Sequence, residues 1–246
     1  MEQILSVIDN YAANGSLNIL DVGCGTGVYM SELLKRKHNV FGFDISKGMV
    51  KEASKRIINY KNTNTLTICS DVDNIPFPDS YFNVVICAGV MEYLPDEISA
   101  LNEMKRVLKS EGILIFTLPN KLKLKNLLDP YYFLVRIWKY FYHKLPFRKK
   151  KIIINNLRNF STNEEFYNKR YTKKFIDKLI RVIEGEVISV VPLGYGPFTF
   201  WRKEFLPLNV SLKINSALEK FTRSGRFKFL ANHSNRWIIC TRVTKR

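Results

Sequence analysis

The sequence predicts an α/β fold in which helices flank a doubly wound, mostly parallel sheet. Three short apolar segments, 17–22, 39–44 and 66–71, have the composition of buried strands. Segments with helical apolar spacing separate them, and the first strand runs directly into a glycine-rich turn. Because parallel strands need a crossover connection, this alternation favours a parallel sheet.

The turn after the first strand has glycine at three alternate positions, Gly23, Gly25 and Gly27. Glycine adopts positive φ at low cost, and its missing Cβ lets a ligand approach the backbone closely. The first amides of the helix expected over Val28–Lys37 have no partner within the helix, so they suit an anionic group. We therefore expect a nucleotide-like cofactor that carries a carboxylate or a phosphate.

The spacing of these glycines is G-x-G-x-G, whereas the dinucleotide fingerprint is G-x-G-x-x-G. With the preceding Asp-Val, the stretch 19–27 resembles the first motif of class I S-adenosylmethionine-dependent methyltransferases; the alternative is a simple glycine turn. The resemblance implies S-adenosylmethionine as cofactor and S-adenosylhomocysteine as product. It places Asp21, Gly23, Cys24, Gly25 and Gly27 at the cofactor.

The second strand, Asn39–Asp44, ends in an acid seventeen residues after Gly27. A carboxylate there can accept two hydrogen bonds from a ribose diol, so we expect Asp44, followed by Ile45, to hold the sugar. The alternative role for Asp44 is the N-cap of the next helix, since Ser46 and a helical run follow.

The third strand also ends in an acid, Asp71, and the stretch after it resembles a family segment of the form P-F-x-D-x-x-F-D-x-V. By that resemblance Asp71 binds the adenine amino group and Val72 offers a backbone amide to the ring. Asn83 stands where the family usually has an aspartate. It keeps hydrogen-bonding capacity without the charge.

The fourth strand ends at Ala88, and the resemblance places the residues from there to Asp96 near the sulfonium and the acceptor. Glu92 stands where many relatives have a histidine. It is a candidate base or substrate ligand; the alternative is that it only orders the loop. No carboxylate ends this strand at Ala88-Gly89, so we expect no catalytic metal.

The resemblance covers residues 15 to 118, including a closing unit of helix 96–108, turn 109–112 and strand 113–117. It implies a Rossmann-like seven-stranded sheet, mostly parallel with an antiparallel last strand. Strand six is expected at Val187–Pro192 and strand seven at Trp237–Val243. Residues 1–120 would be the cofactor-binding core, and 121–246 would complete the sheet of a single domain with basic, aromatic substrate-lid insertions.

Charge divides the chain unevenly. Residues 1–120 hold 11 Lys+Arg against 14 Asp+Glu, and residues 121–246 hold 28 against 8. The excess favours an anionic substrate or surface for the second half, with plain compositional bias as the alternative. The aromatic-rich segment 130–145 fits either a lid over the active site or a helix lying on an anionic membrane.

Methyl transfer from a sulfonium needs mainly an aligned, desolvated acceptor, and a general base adds rate when the acceptor is a hydroxyl or ammonium. The candidate bases are Glu92, His143 and Tyr195, with Tyr93 beside the first. Each has an alternative structural role, which for His143 is simple exposure and for Tyr195 a packed loop.

The leading hypothesis is therefore a methyltransferase acting on an oxygen or nitrogen of a small molecule that is anionic, lipid-linked or glycan-linked. The alternatives are an RNA methyltransferase, which would use the basic half, and a non-catalytic cofactor-fold binding protein. No signal-peptide pattern or membrane span stands out, and the four cysteines are scattered. We expect a cytoplasmic protein; contact with the inner membrane face and the oligomeric state stay open.

Overall fold

The computed structural model describes residues 1–12, 15–60, 65–135, 137, 169–200, 203–204, 206–224 and 228–245. The helices are α1 (Glu2–Ala12), α2 (Val28–Lys35), α3 (Lys47–Ile57), α4 (Glu97–Val107), α5 (Leu124–Leu128), α6 (Lys173–Ile183), α7 (Leu208–Arg223) and α8 (Lys228–Ala231), with a 3-10 helix at Met91–Tyr93. The strands are β1 (Asn18–Val22), β2 (Asn39–Asp44), β3 (Thr65–Cys69), β4 (Phe82–Cys87), β5 (Leu108–Pro119), β6 (Gly185–Leu193), β7 (Thr199–Phe200), β8 (Lys203–Glu204) and β9 (Arg236–Val243).

Seven of these strands form one sheet in the order β3-β2-β1-β4-β5-β9-β6. The first five run parallel, and Leu20 of β1 lies between Phe41 of β2 and Val85 of β4. The chain moves outward from β1 to β3 and then crosses back to β4. Right-handed crossovers on both sides of that reversal put helices on both faces of the sheet. The predicted doubly wound fold is confirmed.

The last strand in sequence, β9, runs antiparallel to β5. The Thr241 hydroxyl donates to the carbonyl of Leu114, and further along the chain the Thr244 hydroxyl donates to the Glu111 carboxylate. As the residue number rises along β9 it falls in β5, which is the pattern of an antiparallel pair. The predicted antiparallel closing strand is therefore present.

The start of β5 differs from the prediction. The turn expected at 109–112 lies inside the strand, because Phe82 is opposite Leu108 whereas Val84 is opposite Ile113. The extra residues form a bulge, in which Glu111 adopts a left-handed φ of 60°. The turn residues thus interrupt the pairing of β5 without ending the strand.

Contacts divide the chain into two compact units. The first comprises residues 1–118, 171–191 and 237–246, and the second comprises 119–170 and 192–236. The core of the first unit includes Val22, Phe82, Leu114, Leu179 and Ile239, all fully buried. Each such side chain contributes about 1.5–3 kcal/mol of transfer free energy.

Asn83, the departure from the family pattern, has a structural partner. Its side-chain oxygen accepts a hydrogen bond of 3.0 Å from the Asn18 amide, which joins the start of β1 to β4. The amide side chain therefore makes a hydrogen bond that its chemistry allows, without a charge at the sheet.

In the second unit, the side chain of Asn120 joins the end of β5 to the residues before β9 by hydrogen bonds. The Asn120 side-chain amide donates to the carbonyls of Asn232 and Ser234, at 2.8 Å each.

Residues 130–135 are helical, and the rest of the aromatic segment predicted as one helix lies outside the described residues, apart from 137. Among the helices in the described ranges, none combines the length and apolarity needed to cross a membrane.

Candidate cofactor site

The carboxyl ends of β1, β2 and β4 and the loop after β3 border one cavity of about 510 Å³ in the first unit. In open α/β sheets this edge, at the point where the strand order reverses, is where ligands bind. The lining residues are Val22, Gly23, Phe43, Asp44, Ile45, Ser70, Asp71, Val72, Asp73, Ala88, Gly89, Val90, Tyr93, Leu94 and Pro95.

The glycine turn between β1 and α2 adopts the backbone that its sequence predicts. Gly23, Gly25 and Gly27 have φ of 66°, 53° and 74°, all in the left-handed region. A Cβ on Gly23 would collide with Cγ2 of Val90, and one on Gly27 would lie 3.0 Å from Cα of Ala53. A Cβ on Gly25 would meet nothing within 4 Å, so this glycine leaves open space beside the turn.

Asp44 ties the end of β2 to that turn. One carboxylate oxygen accepts a hydrogen bond from the Gly25 amide and the other from the Ser46 amide, both at 2.9 Å. The N-cap of α3 is Ser46, whose hydroxyl accepts from the Met49 amide, so Asp44 does not serve as that cap. A carboxylate has about four lone-pair positions, so two hydrogen bonds leave capacity for two ligand hydroxyls.

Asp21 is an acid held inside the fold, only 2% exposed. Its Oδ2 atom is buried without a hydrogen-bond partner among the described residues. Burial, and secondarily the charge of Asp44, raises the pKa of Asp21 from 3.8 to about 7. A buried acid without a partner is costly, and a nearby cation would stabilise its ionised form.

The far end of the cavity combines apolar walls with an acid. Ile45 is 73% exposed at the cavity edge, while Val72 is buried in its wall. Asp71, at the end of the segment predicted as the third strand, is exposed and lines the same space. An apolar slot with an acceptor at its edge suits a flat heterocycle that bears an amino group.

The segment after β4 is fixed from the interior. The Gly89 amide donates to the Thr117 hydroxyl at 2.8 Å. The Tyr171 hydroxyl lies 3.0 Å from the carbonyl of Met91 and 2.7 Å from Oε1 of Glu97. Burial, then the Glu97 hydrogen bond, raises the pKa of Tyr171 well above its ordinary value, so the hydroxyl stays protonated.

The candidate bases take different positions. Glu92 is fully buried in the 3-10 helix and does not line the cavity, whereas its neighbour Tyr93 is 54% exposed and does. Tyr195 is fully buried in the second unit. His143 lies outside the described residues. Their catalytic roles stay predictions.

Six of the predicted cofactor residues line the cavity: Gly23, Asp44, Ile45, Asp71, Val72 and Ala88. Asp21 in β1 and Gly25 and Gly27 in the turn do not line the cavity themselves. Cys24 donates its amide to the Phe43 carbonyl, and burial raises the pKa of its thiol to about 12. Its backbone, not its thiol chemistry, positions the turn.

Sequence reasoning did not single out Phe43 or Ser70, although each adjoins a strand end that was already predicted. Val90, Leu94 and Pro95 also line the cavity, and they lie in the segment after β4 that the resemblance placed near the sulfonium and the acceptor. In the described part of the chain, no group of three or more His, Cys, Asp or Glu side chains is placed to hold a metal ion.

The residues present fit S-adenosylmethionine. The orphaned Asp21 oxygen suits a cationic amino-acid end, the Asp44 carboxylate suits a ribose, and the slot at Asp71 and Val72 suits adenine. The open space at Gly25 lets a ligand approach the backbone where a side chain would otherwise stand.

Comparison with known proteins agrees with a site for S-adenosylmethionine. Residues 20–116 match a family described as "Methyltransferase domain". The ubiquinone/menaquinone biosynthesis C-methyltransferase UbiE of Paraburkholderia phymatum is 36% identical over 125 residues, covering 49% of this chain and 51% of that protein. Demethylmenaquinone methyltransferase of Geobacillus sp. is 31% identical over 120 residues, covering 48% and 51%. The chain thus spans about half the length of the curated relatives it matches.

The similarity in fold extends over more of the chain than the similarity in sequence. A solved S-adenosylmethionine-dependent methyltransferase of Methanosarcina mazei superposes with a TM-score of 0.60 at 16% identity, covering 98% of both chains. The matched residues 20–116 include the glycine turn and the acids Asp44 and Asp71. Residues 20–116 of this chain form a methyltransferase domain of the class I S-adenosylmethionine-dependent type.

Proposed function

We propose that this chain transfers a methyl group from S-adenosylmethionine to a small-molecule acceptor. The observation that carries the proposal is the Asp44 carboxylate, which joins the glycine turn to the cavity through Gly25 and keeps acceptor capacity for a ribose. Asp21 would hold the cationic end of the cofactor, and Asp71 with the Val72 amide would hold the base. The family resemblance implied these roles for Asp71 and Val72, and it placed Asp21 at the cofactor without a specific role.

The sulfonium of the bound cofactor supplies an already activated methyl group, so this chain has to provide position and exclude water. Tyr93 and Leu94 line the cavity beside the end of β4 and would border the acceptor. The Tyr171 hydroxyl, at the Met91 carbonyl, fixes the 3-10 helix that carries Tyr93. Glu92 is separated from the cavity by its burial, so a role as base would need an acceptor that reaches the interior.

The acceptor is proposed from charge and from relatives. The basic second half favours an anionic or lipid-linked acceptor, and a hydroxyl or amine on such a molecule would take the methyl group on oxygen or nitrogen. Two relatives carry names of quinone-biosynthesis methyltransferases, one of them a C-methyltransferase, which makes carbon the alternative. Their matches cover about half of this chain.

Cofactor binding is tested first, by calorimetric titration of S-adenosylmethionine into the full chain. Asp44→Asn keeps the shape but removes the charge, and we expect affinity to fall about tenfold to a hundredfold, the value of hydrogen bonds to a charged acceptor. The control is Glu52→Gln on α3, an exposed acid that pairs with Lys55. Thermal unfolding of each variant separates a lost contact from a disordered turn. Equal affinity of Asp44→Asn and wild type would refute the cofactor assignment.

The acceptor is tested by following a ¹³C- or ¹⁴C-labelled methyl group from the cofactor into a host-cell extract separated into RNA, lipid, protein and small-molecule fractions. Label in the lipid or small-molecule fraction, lost in Asp44→Asn, supports the proposal. The ¹³C chemical shift of the product then distinguishes carbon from oxygen or nitrogen. Label in RNA would assign the basic half to phosphate binding. No transfer to any fraction, with cofactor binding intact, would favour the non-catalytic alternative.

A further inference from the structure

The cavity wall beside the proposed acceptor comes from residues 91–97. Tyr93, Leu94 and Pro95 line the cavity. Met91 is fully buried, whereas Tyr93 is 54% exposed. Because an exposed ring makes few packing contacts, its position depends on the backbone that carries it. Whatever holds the backbone of this segment therefore holds the wall.

A single hydroxyl group joins the two ends of the segment. The Tyr171 hydroxyl donates to the Met91 carbonyl at 3.0 Å and to Oε1 of Glu97 at 2.7 Å. Met91 begins the 3-10 helix and Glu97 begins α4, so the three residues that line the cavity lie between the two contacts. Both contacts are buried, and a hydrogen bond is stronger in the interior than in water.

Tyr171 is itself held firmly. Its side chain belongs to the core of the first unit and is 5% exposed. Its ring stacks on that of Phe175 in α6, with centroids 5.3 Å apart and planes inclined by 25°. The hydroxyl is thus a fixed point to which the segment 91–97 is tied.

The residues just before this segment are held by other contacts. The Gly89 amide donates to the Thr117 hydroxyl, and the Val90 side chain fills the space where Gly23 lacks a Cβ. These contacts join the end of β4 to β5 and to the glycine turn without Tyr171. Loss of the Tyr171 hydroxyl should therefore displace the wall at 93–95 more than the residues that hold the cofactor.

We infer that Tyr171 is a positioning residue for methyl transfer, which keeps Tyr93 in one place beside the acceptor. The inference rests on the proposed function, because it assigns Tyr171 a part in that reaction. In-line transfer needs an aligned acceptor, and a displacement of about 1 Å can cost on the order of a hundredfold in rate. Tyr171 does not line the cavity, so it acts only through the segment that it holds.

The first test compares Tyr171→Phe with wild type in the full chain. Phenylalanine keeps the ring that stacks on Phe175 and removes only the hydroxyl. With saturating S-adenosylmethionine, we expect the initial rate of labelled-methyl transfer into the lipid and small-molecule fractions of a host-cell extract to fall about tenfold to a hundredfold. Calorimetric affinity for S-adenosylmethionine should stay within about threefold of wild type. A loss confined to cofactor affinity would overturn the inference, and thermal unfolding checks that the variant is folded.

Hydrogen exchange gives a second readout, which needs no acceptor. The Tyr93 amide donates to the Val90 carbonyl, and the Leu94 amide donates to the same Met91 carbonyl that Tyr171 contacts. Opening of the 3-10 helix in wild type breaks the Tyr171 hydrogen bonds, and in Tyr171→Phe it does not. These two amides should therefore exchange about tenfold faster in the variant, as measured by mass spectrometry.

Variants of Glu97 test whether the two contacts act as one bridge. Glu97→Gln keeps an oxygen at the Tyr171 hydroxyl and should transfer the methyl group within about threefold of the wild-type rate. Glu97→Leu removes the acceptor atom. Combined with Tyr171→Phe, it should slow transfer by less than the product of the two single effects, because the residues share one interaction. Independent, multiplying effects would contradict the bridge.

Tyr11→Phe is the matched control. It also removes one hydroxyl, which donates to the Glu111 carbonyl at 3.2 Å, and Tyr11 does not line the cavity. Transfer and the exchange at 93–94 should stay within about twofold of wild type in this variant. Unchanged transfer and exchange in Tyr171→Phe, or equal losses in the control, would overturn the inference. No transfer by wild type would refute the proposed function instead; faster exchange in Tyr171→Phe would still support the positioning of the segment, and equal exchange would overturn it.

Discussion

Replacing Asp21 by asparagine should stabilise the cofactor-free protein, and more so at higher pH. Asp21 is 2% exposed, and its Oδ2 atom has no hydrogen-bond partner among the described residues. Its pKa is about 7 in the folded chain against 3.8 ordinarily. The folded state therefore resists ionisation of this carboxyl, and the unfolded state does not. The resulting destabilisation is small near pH 4, grows as the pH rises, and is constant above about 7.

The size of the effect follows from the shift. Each pH unit between the two pKa values costs about 1.4 kcal/mol of folding free energy. From pH 5 to pH 8 the cost of Asp21 grows by about 3 kcal/mol, since the growth stops near pH 7. Asp21→Asn should gain that much more over wild type at pH 8 than at pH 5. The cost of burying the asparagine amide is the same at both pH values and cancels in this comparison.

The assay is urea unfolding of Asp21→Asn and wild type without cofactor at pH 5, 6, 7 and 8, followed by circular dichroism. Asp73→Asn, which removes one exposed negative charge, serves as the control for net charge. A gain that is the same at pH 5 and pH 8, or larger at pH 5, would show that Asp21 does not act as a buried charge.

Two further predictions concern the same turn. Affinity for S-adenosylmethionine should rise with pH up to about 7 and level off above it, because a cationic ligand favours the ionised form of Asp21. Calorimetric titrations of the cofactor from pH 5.5 to 8.5 measure this affinity. An affinity that does not change over this pH range would contradict the prediction. Gly25→Ala should cost roughly 1–2 kcal/mol, the strain of a left-handed φ, and weaken cofactor binding. Gly23→Ala should cost about twice as much in urea unfolding, because its Cβ would also collide with Val90; equal losses in the two variants would contradict this steric account.

The first half of the fold was predictable because its signals are local. A run of apolar residues bounded by polar ones fixes β2 as Asn39–Asp44, the range that the structure has. Strand ends then locate Asp44 and Asp71 at one edge without any knowledge of the tertiary structure, because parallel strands share that edge. The glycine turn follows from backbone conformation alone.

The interior position of Glu92 could not be predicted from its neighbours. Its surroundings include Tyr171, about eighty residues away in sequence, whose hydroxyl contacts Met91 and Glu97 around the 3-10 helix. Periodicity describes which residues share a side of an element but not what packs against that side.

The orientation of α7 is a second case. Its sequence shows apolar positions at helical spacing, and the ordinary expectation is that only such positions face the rest of the fold. Asn215 and Glu219 also face inward, because they accept hydrogen bonds from the amides of the loop at 194–196. Hydrogen bonds to a distant loop are invisible in a local pattern.

The acids of the cofactor site lower the stability of the cofactor-free protein. Burial makes ionisation of Asp21 costly, and the charge of Asp44 adds to that cost. A cation between the turn and β1 would lower the pKa of Asp21 and return part of that free energy at the moment of binding. A domain that kept Asp21 only for its fold would be more stable with asparagine. We infer that Asp21 is kept for binding: the free energy it costs in the empty site is partly recovered when a positively charged ligand binds.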